Sequence, residues 1–203
     1  MTPADLFHRE FYDAGLWHTS FMDVPMQKYP NDLWMYQKIL WEKRPELVVE
    51  CGTCDGGTTL FLATMLKAFG LSGQVVSIDI EDKPNRPKHE RITYLLGSST
   101  SIEVVLRVRG LAQGSRTMVI LDSNHTKAHV LTELTVYAPI VTSGQYMIVE
   151  DTNLNGHPVL PNYGPGPMEA VEEFLKTNQE FVINRAYEQF IISANPRGYL
   201  MKK

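Results

Sequence analysis

Acidic side chains stand at the ends of two predicted strands in the second half of the chain. Asp122 ends the predicted strand 117–122, and Glu150 with Asp151 ends the predicted strand 145–150. If these strands are neighbours, three carboxylates meet in a small volume, where like charges do not all stay ionised without a cation. Oxygen ligands suit a hard divalent ion such as Mg²⁺. We therefore predict a metal site at Asp122, Glu150 and Asp151; three scattered surface acids are the alternative.

A histidine follows the first of these acids closely enough to act with it. His125 comes three residues after Asp122, in the turn that leaves the predicted strand. Imidazole titrates near neutrality, so it can accept a proton from a metal-bound hydroxyl. We predict that His125 is the catalytic base, while a helix-capping or merely exposed histidine is the alternative at this position.

A glycine-containing turn follows the predicted first strand, 46–51. The turn reads Glu50-Cys-Gly-Thr-Cys-Asp-Gly-Gly-Thr58, and its glycines permit a tight bend and the close approach of a ligand to the backbone. Such a turn alone is common in α/β proteins. The pair Cys51 and Cys54 would also suit a redox dithiol, but the neighbouring acids and glycines are features that a dithiol site does not need.

Two further strand ends carry groups that could hold a nucleoside. Asp79 ends the predicted strand 74–80, about where a carboxylate accepts the hydroxyls of a ribose. The run Gly97-Ser98-Ser99-Thr100 follows the predicted strand 91–96 and could contact a base ring or cap the next helix. An acid placed for solubility is the alternative interpretation of Asp79.

Short β-branched runs alternate with helical patterns, which predicts an α/β fold with a parallel sheet between helices. A closing pair of strands is predicted at 180–184 and 189–194. Residues 153–167, rich in Pro, Gly and Asn, form too long a stretch for a simple connector, which favours a functional loop. The chain divides into an aromatic N-terminal helical cap, 1–45, and an α/β core, 46–203, within a single domain.

Composition narrows the classes of partner. The 203 residues carry a net charge of -4, so they offer no cationic surface for nucleic acid. The sequence has no apolar run near the ~20 residues of a membrane span and no signal-peptide region, so we expect a cytoplasmic enzyme without a membrane partner. The aromatic N-terminal segment could cover a site or make a contact in a homo-oligomer.

Taken together, the glycine turn, the acid ending the second strand and the acidic triad resemble class I S-adenosylmethionine (SAM)-dependent methyltransferases. Within that group, the chain from about Tyr29 onward is similar to the cephalosporin-hydroxylase-like proteins and rhamnosyl O-methyltransferases, and more distantly to catechol O-methyltransferase. The most specific segments are 149–153 with 156–158, 164–170 and 195–199. The resemblance implies a Rossmann-like SAM methyltransferase fold: a mostly parallel seven-stranded sheet flanked by helices, with an N-terminal helical extension.

The resemblance also implies roles for individual residues. The cofactor SAM would be bound by Glu50, Gly52, Thr53, Asp55, Gly56, Thr58, Asp79, Ser98, Ser99 and Asp122. The metal ligands would be Asp122, Glu150 and Asp151, and the acceptor would meet Tyr29, Asn153 and His157. His125 stands where the catechol enzymes have a lysine base, and Asp151 stands where they have an amide.

The predicted function is SAM- and Mg²⁺-dependent methylation of a small-molecule hydroxyl with an adjacent oxygen, in a catechol-type phenol or a sugar diol. One alternative is a Rossmann-type NAD-dependent oxidoreductase, although the G-x-G-x-x-G spacing is absent between Gly52 and Gly57. A hydroxylase-type enzyme is the other alternative, although the sequence supplies no iron-binding facial triad of two histidines and one carboxylate.

Overall fold

The computed structural model describes residues 1–203. Its N-terminal segment combines helices with a hairpin. Its elements are α1 (Pro3–Asp13), β1 (His18–Phe21), β2 (Val24–Gln27) and α2 (Pro30–Lys43). The hairpin was not predicted, because its turn residues Met22 and Asp23 adopt left-handed backbone conformations without the Asn-Gly or Gly-Gly signal that usually marks them. The predicted helical extension is therefore two helices separated by a two-stranded ribbon.

The rest of the chain alternates strands and helices. Its strands are β3 (Leu47–Cys51), β4 (Gln74–Asp79), β5 (Ile92–Leu96), β6 (Thr117–Leu121), β7 (Tyr146–Val149), β8 (Phe181–Ile183) and β9 (Tyr199–Lys202). Its helices are α3 (Gly57–Ala68), α4 (Ile102–Ala112), α5 (Lys127–Tyr137) and α6 (Pro167–Thr177). The seven strands form one sheet in the order β5-β4-β3-β6-β7-β9-β8. Strand β9 runs antiparallel to the other six. The predicted Rossmann-like, mostly parallel seven-stranded sheet is confirmed.

Helices cover both faces of this sheet, so its central strands are buried on both sides. Every residue of β3 and β6 is buried. Along β3, Val49 and Cys51 join the apolar cluster packed by α4, α5 and α6, whereas Val48 joins the cluster packed by α2 and α3. The alternation of side chains along a strand thus divides the core into two layers.

One predicted strand is wrong. Residues 189–194 form no strand, and the antiparallel β9 is instead Tyr199–Lys202. The hydrogen-bonding groups at Ser193 and Ala194 are taken by the buried carboxylate of Asp32 on α2, which accepts from Ser193 Oγ at 2.6 Å and Ala194 N at 2.8 Å. Tyr199 also donates to Asp32, at 3.0 Å. A side chain from a distant helix therefore replaces the strand partner that the sequence pattern suggested.

The turn after β3 packs directly against the end of β6. A Cβ at Gly52 would lie 1.9 Å from the backbone oxygen of Asp122, and Gly52 also has a left-handed φ of +96°. Gly57, at the start of α3, is similarly close to the hairpin, since a Cβ there would lie 2.5 Å from the oxygen of Pro25. These glycines are required by backbone packing within the protein itself.

No helix in the structure is both long enough and apolar enough to cross a lipid bilayer.

We expect Gly52→Ala to destabilise the protein by about 3 kcal/mol or more, because the added methyl meets the Asp122 backbone and the φ disfavours an L residue. The matched control is Gly110→Ala on α4, where a Cβ meets nothing within 4 Å; it should stabilise by about 0.5–1 kcal/mol. Urea denaturation of both variants measures the two effects, and equal stabilities would refute the packing argument.

We expect Asp32→Ala to cost about 3 kcal/mol at acid pH, because it leaves the donors of Ser193, Ala194 and Tyr199 without their partner. Burial raises the pKa of Asp32 from 3.8 to about 6, so its contribution is full below pH 3.8 and declines as the pH rises through about 6. The difference in stability between wild type and variant should therefore be smaller at pH 7.5 than at pH 5. Exposed Glu10→Ala serves as the control; a gap that widens with pH would contradict the argument.

Candidate active site

A cavity of about 670 Å³ opens at the carboxyl edge of the parallel strands. Its walls come from the turn after β3, the ends of β4 to β7, the N-terminal segment and the loop before α6. In open α/β sheets this edge is where ligands bind, because the turns that leave several strands converge there. The predicted location of the site therefore coincides with a cavity in the structure.

Two carboxylates and one imidazole gather at the β6–β7 end of this cavity. Strands β6 and β7 are neighbours, as the metal-site prediction required. His125 Nε2 lies 3.3 Å from Asp122 Oδ1 and 3.3 Å from Asp151 Oδ2, and the three side chains have ligand atoms within 4.8 Å of one another. Asp151 reaches this position because its backbone is left-handed, with a φ of 55°. The arrangement can hold a cation or a protonated imidazole.

Glu150 is not part of that group. Its carboxylate is buried, and its Oε2 lies 2.9 Å from the ammonium of Lys28, which also contacts Asp122. The other oxygen, Oε1, is buried without a hydrogen-bond partner. The three predicted acids are therefore close in space, but His125 stands with Asp122 and Asp151 where Glu150 was expected.

The electrostatics of this end favour positive charge. Burial lowers the pKa of Lys28, but the charges of Asp122 and Glu150 outweigh it and hold that pKa well above its usual value. Burial also acts to lower the pKa of His125, but the charges of Asp151 and Asp122 outweigh burial and raise this pKa to about 9. Burial raises the pKa of Asp151, and repulsion from Asp122 adds to that increase. Burial and repulsion from Asp122 also raise the pKa of Glu150 to about 8. Lys28 alone thus does not balance the three carboxylates, and the protonated His125 supplies a second positive charge.

Asp79 ties the glycine turn to the end of β4. Its Oδ2 accepts from the backbone N–H groups of Thr53 at 3.1 Å and Cys54 at 2.8 Å, and its Oδ1 accepts from Glu81 at 3.0 Å. Arg86 pairs with the same carboxylate at 3.0 Å and donates to the backbone oxygen of Cys54 at 2.9 Å. The segment after β4 thus folds across the outside of the turn and fixes the Asp79 side chain at the cavity wall.

The predicted cofactor residues separate into two sets. Those that line the cavity are Gly52, Thr53, Thr58, Asp79, Ser98, Ser99 and Asp122. Glu50, Asp55 and Gly56 do not line it. Glu50 is buried beneath the turn, where its carboxylate accepts from Thr59 and Ser77, and Asp55 pairs with Lys83 at 3.0 Å. Gly56 provides the left-handed residue that begins α3. These three residues shape the turn from behind.

The predicted acceptor residues also differ in position. Tyr29 lines the cavity, whereas Asn153 and His157 do not. Asn153 is fully buried and donates to Tyr29 Oη at 3.4 Å, and its Nδ2 lies 3.1 Å from His8 Nε2. His157 lies 3.0 Å from Glu169 on α6 and so holds the 153–167 loop. Both residues position the cavity wall without forming its surface.

Several residues at the site were not predicted individually. Lys28 was missed because its partners lie 94 residues or more away in sequence, and no local pattern marks it. The aromatic wall consists of Tyr12 and Trp17 from the aromatic N-terminal segment and Tyr163 from the 153–167 loop, none of which was assigned a role from sequence. His129 and Ser123 also line the cavity, beside a buried carboxylate on α5. The two cysteines are free, with Cys51 buried and Cys54 exposed.

Comparison with known proteins places this geometry in a family. The family model for rhamnosyl O-methyltransferase/CmcI matches residues 14–203. The rhamnosyl O-methyltransferase of Mycobacterium leprae is 38% identical over 209 residues, covering 98% of this chain and 90% of that protein. Its counterpart in Mycobacterium tuberculosis is 33% identical over 210 residues, covering 98% and 84%.

Solved structures support the fold. The structure of CmcI with Mg and SAM has a TM-score of 0.71 at 21% identity, covering 91% of this chain and 76% of that one. An O-methyltransferase from Bacillus cereus in complex with SAH has a TM-score of 0.57 at 12% identity, covering 100% and 92%. The family predicted from sequence, one of SAM-dependent O-methyltransferases, is confirmed. The chain belongs to the rhamnosyl O-methyltransferase/CmcI family.

Proposed function

We propose that the protein transfers the methyl group of SAM to a hydroxyl of a sugar that carries a neighbouring oxygen, with a divalent cation such as Mg²⁺ held at Asp122 and Asp151. The observation that carries this proposal is the single cavity whose wall includes both the glycine turn with Asp79 and the Asp122–His125–Asp151 group. A methyl donor and a hydroxyl acceptor have to meet in one space, with a base beside the acceptor oxygen.

The cofactor end would be formed by the residues that line the cavity along β3, β4 and β5. Gly52 and Thr53 bring backbone close to the methionine part, and Asp79 offers a carboxylate to the ribose hydroxyls. Ser98 and Ser99 lie beyond Asp79, at the end of β5, where the base would be bound. Glu50 would act from beneath, by holding Thr59 and Ser77 under the turn.

The acidic end fits a divalent cation. Asp122 and Asp151 offer carboxylate oxygens, and the buried Oε1 of Glu150 has no hydrogen-bond partner. The raised pKa of Asp151, caused by burial and by Asp122, reflects negative charge that a cation would relieve. Oxygen donors suit Mg²⁺ and also Mn²⁺. When bound, such an ion lowers the pKa of an acceptor hydroxyl and orients it.

His125 is proposed as the base. Without a metal ion the carboxylates of Asp151 and Asp122 raise the pKa of His125 to about 9, so Nε2 is protonated. A cation held by these two carboxylates would lower that pKa and free Nε2 to accept a proton. Nε2 would then accept the hydroxyl proton while the oxygen forms a bond to the methyl carbon and the bond from that carbon to sulfur breaks, leaving a neutral thioether. Deprotonating an aliphatic hydroxyl fully at pH 7 costs roughly 12 kcal/mol, so the transfer of the proton has to accompany the attack. Asp122 and Asp151, each 3.3 Å from Nε2, would stabilise the resulting imidazolium.

The acceptor end favours a sugar over a catechol. Tyr12, Trp17 and Tyr163 line the cavity together with His125 and Asp151, and aromatic faces pack well against the apolar faces of sugar rings. The related mycobacterial proteins are named rhamnosyl O-methyltransferases. MycE, solved with Mg, SAH and mycinamycin VI, has a TM-score of 0.51 at 27% identity, covering 66% of this chain and 36% of that one. The N-terminal residues 1–45 would then serve as the cap over the acceptor.

The alternative chemistries have less support. A hydroxylase-type site would need two histidines and one carboxylate, whereas this group has one histidine and two carboxylates. A nicotinamide cofactor would need the glycine spacing that the turn after β3 lacks.

The proposed reaction is tested by incubating the protein with SAM, Mg²⁺ and a panel of rhamnosides, other glycosides and catechols. We expect mass spectrometry to find one added methyl group on a glycoside. Removing metal with EDTA should abolish turnover, and added Mg²⁺ or Mn²⁺ should restore it, while calorimetry should still detect binding of S-adenosylhomocysteine. Methylation of catechols alone would refute the acceptor class, and full turnover in EDTA would refute the metal requirement.

We expect His125→Gln to lower kcat by about 10²- to 10⁴-fold with little change in affinity for S-adenosylhomocysteine, because the variant loses the proton acceptor and keeps the cofactor wall. His89→Gln is the control, since His89 precedes β5 at the opposite edge of the sheet. Steady-state kinetics of both variants with the identified acceptor decide the point. An unchanged kcat in His125→Gln would mean that another group accepts the proton.

A further inference from the structure

A buried carboxylate lies directly behind the cavity wall between the ends of β5 and β6. Glu133, on α5, is fully buried, and its Oε1 accepts from Ser99 Oγ at 2.5 Å and from Ser123 Oγ at 2.7 Å. Both serines line the cavity, whereas Glu133 does not. The other oxygen, Oε2, is buried without a hydrogen-bond partner, so the polar contacts of the carboxylate fall on the serine side.

The number of protons in this cluster fixes its polarity. A serine hydroxyl has one proton to donate and two lone pairs that accept, whereas a carboxylate only accepts. Ser99 and Ser123 both point their single proton at Glu133 Oε1. Their oxygens therefore present only lone pairs to the cavity.

His129 fits the same assignment. Its Nε2 lies 3.0 Å from Ser123 Oγ, 3.3 Å from Ser99 Oγ and 3.4 Å from Glu133 Oε1. Since both serine protons are directed at Glu133, the tautomer of His129 with its proton on Nε2 fits this arrangement. It occupies part of the accepting capacity of the serines, but it does not turn their protons toward the cavity.

The two serine oxygens lie where the base of the proposed cofactor would bind. Ser99 follows β5, and Asp79, the proposed partner of the ribose, ends the adjacent strand β4. Asp151 follows β7, and three strands, β4, β3 and β6, separate β5 from β7. A nucleoside whose ribose meets Asp79 while its sulfur points toward Asp151 has its base beside Ser99, and Ser123, which follows β6, lines the same cavity.

We infer that Glu133 is a specificity-determining residue. By holding the protons of Ser99 and Ser123, it makes this part of the cavity wall favour a base with an amino group, as in adenine, over a base with a carbonyl at the same position. This inference rests on the proposed use of SAM. A 6-oxo purine would set its lone pairs against those of the two serines, whereas a 6-amino purine donates to them. Glu133 acts through the serines and needs no contact with the ligand.

The test compares the affinities of S-adenosylhomocysteine and S-inosylhomocysteine by calorimetry on the full chain. These two probes differ at position 6 of the base, which carries an amino group in one and a carbonyl in the other, and at N1, which carries a proton only in the inosyl form. We expect the wild type to bind the adenosyl form about 10- to 100-fold more tightly. Equal affinities would overturn the inference but leave the proposed function standing, and failure of the wild type to bind either probe would overturn both.

Variants test whether Glu133 causes the preference for the adenosyl form. Glu133→Met removes the acceptor at similar length, which frees the serine protons to turn toward the cavity, so the ratio of the two affinities should fall to within about threefold of unity. Thr132→Val, the exposed neighbour on α5, should keep the wild-type ratio. A wild-type ratio in folded Glu133→Met, verified by circular dichroism, would overturn the inference.

A second variant covers the case in which Glu133→Met does not fold. Ser99→Ala deletes one acceptor at the wall and leaves Glu133 bound to Ser123. It should weaken the adenosyl form about 3- to 10-fold without weakening the inosyl form, because the amino group loses a partner at Ser99 whereas the carbonyl loses a repulsive contact. Equal weakening of both forms would mean that Ser99 contributes shape alone, and the inference would be wrong.

Discussion

The concentration of negative charge at the ends of β6 and β7 is the constraint on which the rest of the site depends. Asp122, Glu150 and Asp151 lie at one edge of the sheet, and two of them share the ammonium of Lys28. Burying a carboxylate without a partner costs several kcal/mol, so the fold has to bring a cation to this edge before the acids can remain charged. Lys28 supplies one positive charge and His125, whose pKa is raised to about 9, supplies a second. Burial also raises the pKa of Glu150 to about 8, so that its proton offsets part of the remaining negative charge.

This demand explains why the N-terminal segment is integral to the site. Lys28 follows the hairpin, and Tyr29, the next residue, contacts His8 on α1 and Asn153 after β7. The hairpin backbone in turn lies so close to Gly57 that no side chain fits between them. A segment that looks like an appendage in sequence is therefore tied to the site by an ion pair, a buried hydrogen-bond cluster and backbone contact.

A feature of the fold was predictable from the sequence when it depends on residues that are close together along the chain. The strands β3 to β7 and the convergence of Asp79 and Asp122 at one edge depend on local patterns and on the rule for parallel sheets, so they were predictable. The hairpin and β9 were not, because Met22 and Asp23 lack a glycine signal, and because the 189–194 run has strand character but is bound by Asp32 from α2. The pairing of Lys28 with Asp122 spans 94 residues, beyond the reach of any local pattern.

The acids around the cavity also divide by environment in a way that residue type alone does not reveal. The longer acids Glu50, Glu133 and Glu150 are each at most 2% exposed and are bound by hydroxyl or ammonium donors of the protein. The shorter acids line the cavity: Asp79, Asp122 and Asp151, whose side chains are 14%, 17% and 27% exposed. Side-chain length does not by itself decide this division, since Glu81 also lines the cavity; what the three buried glutamates share is a donor within the protein. Glu150 and Asp151 are adjacent in sequence but belong to different sets: one orders the wall, and the other faces the space where ligands bind.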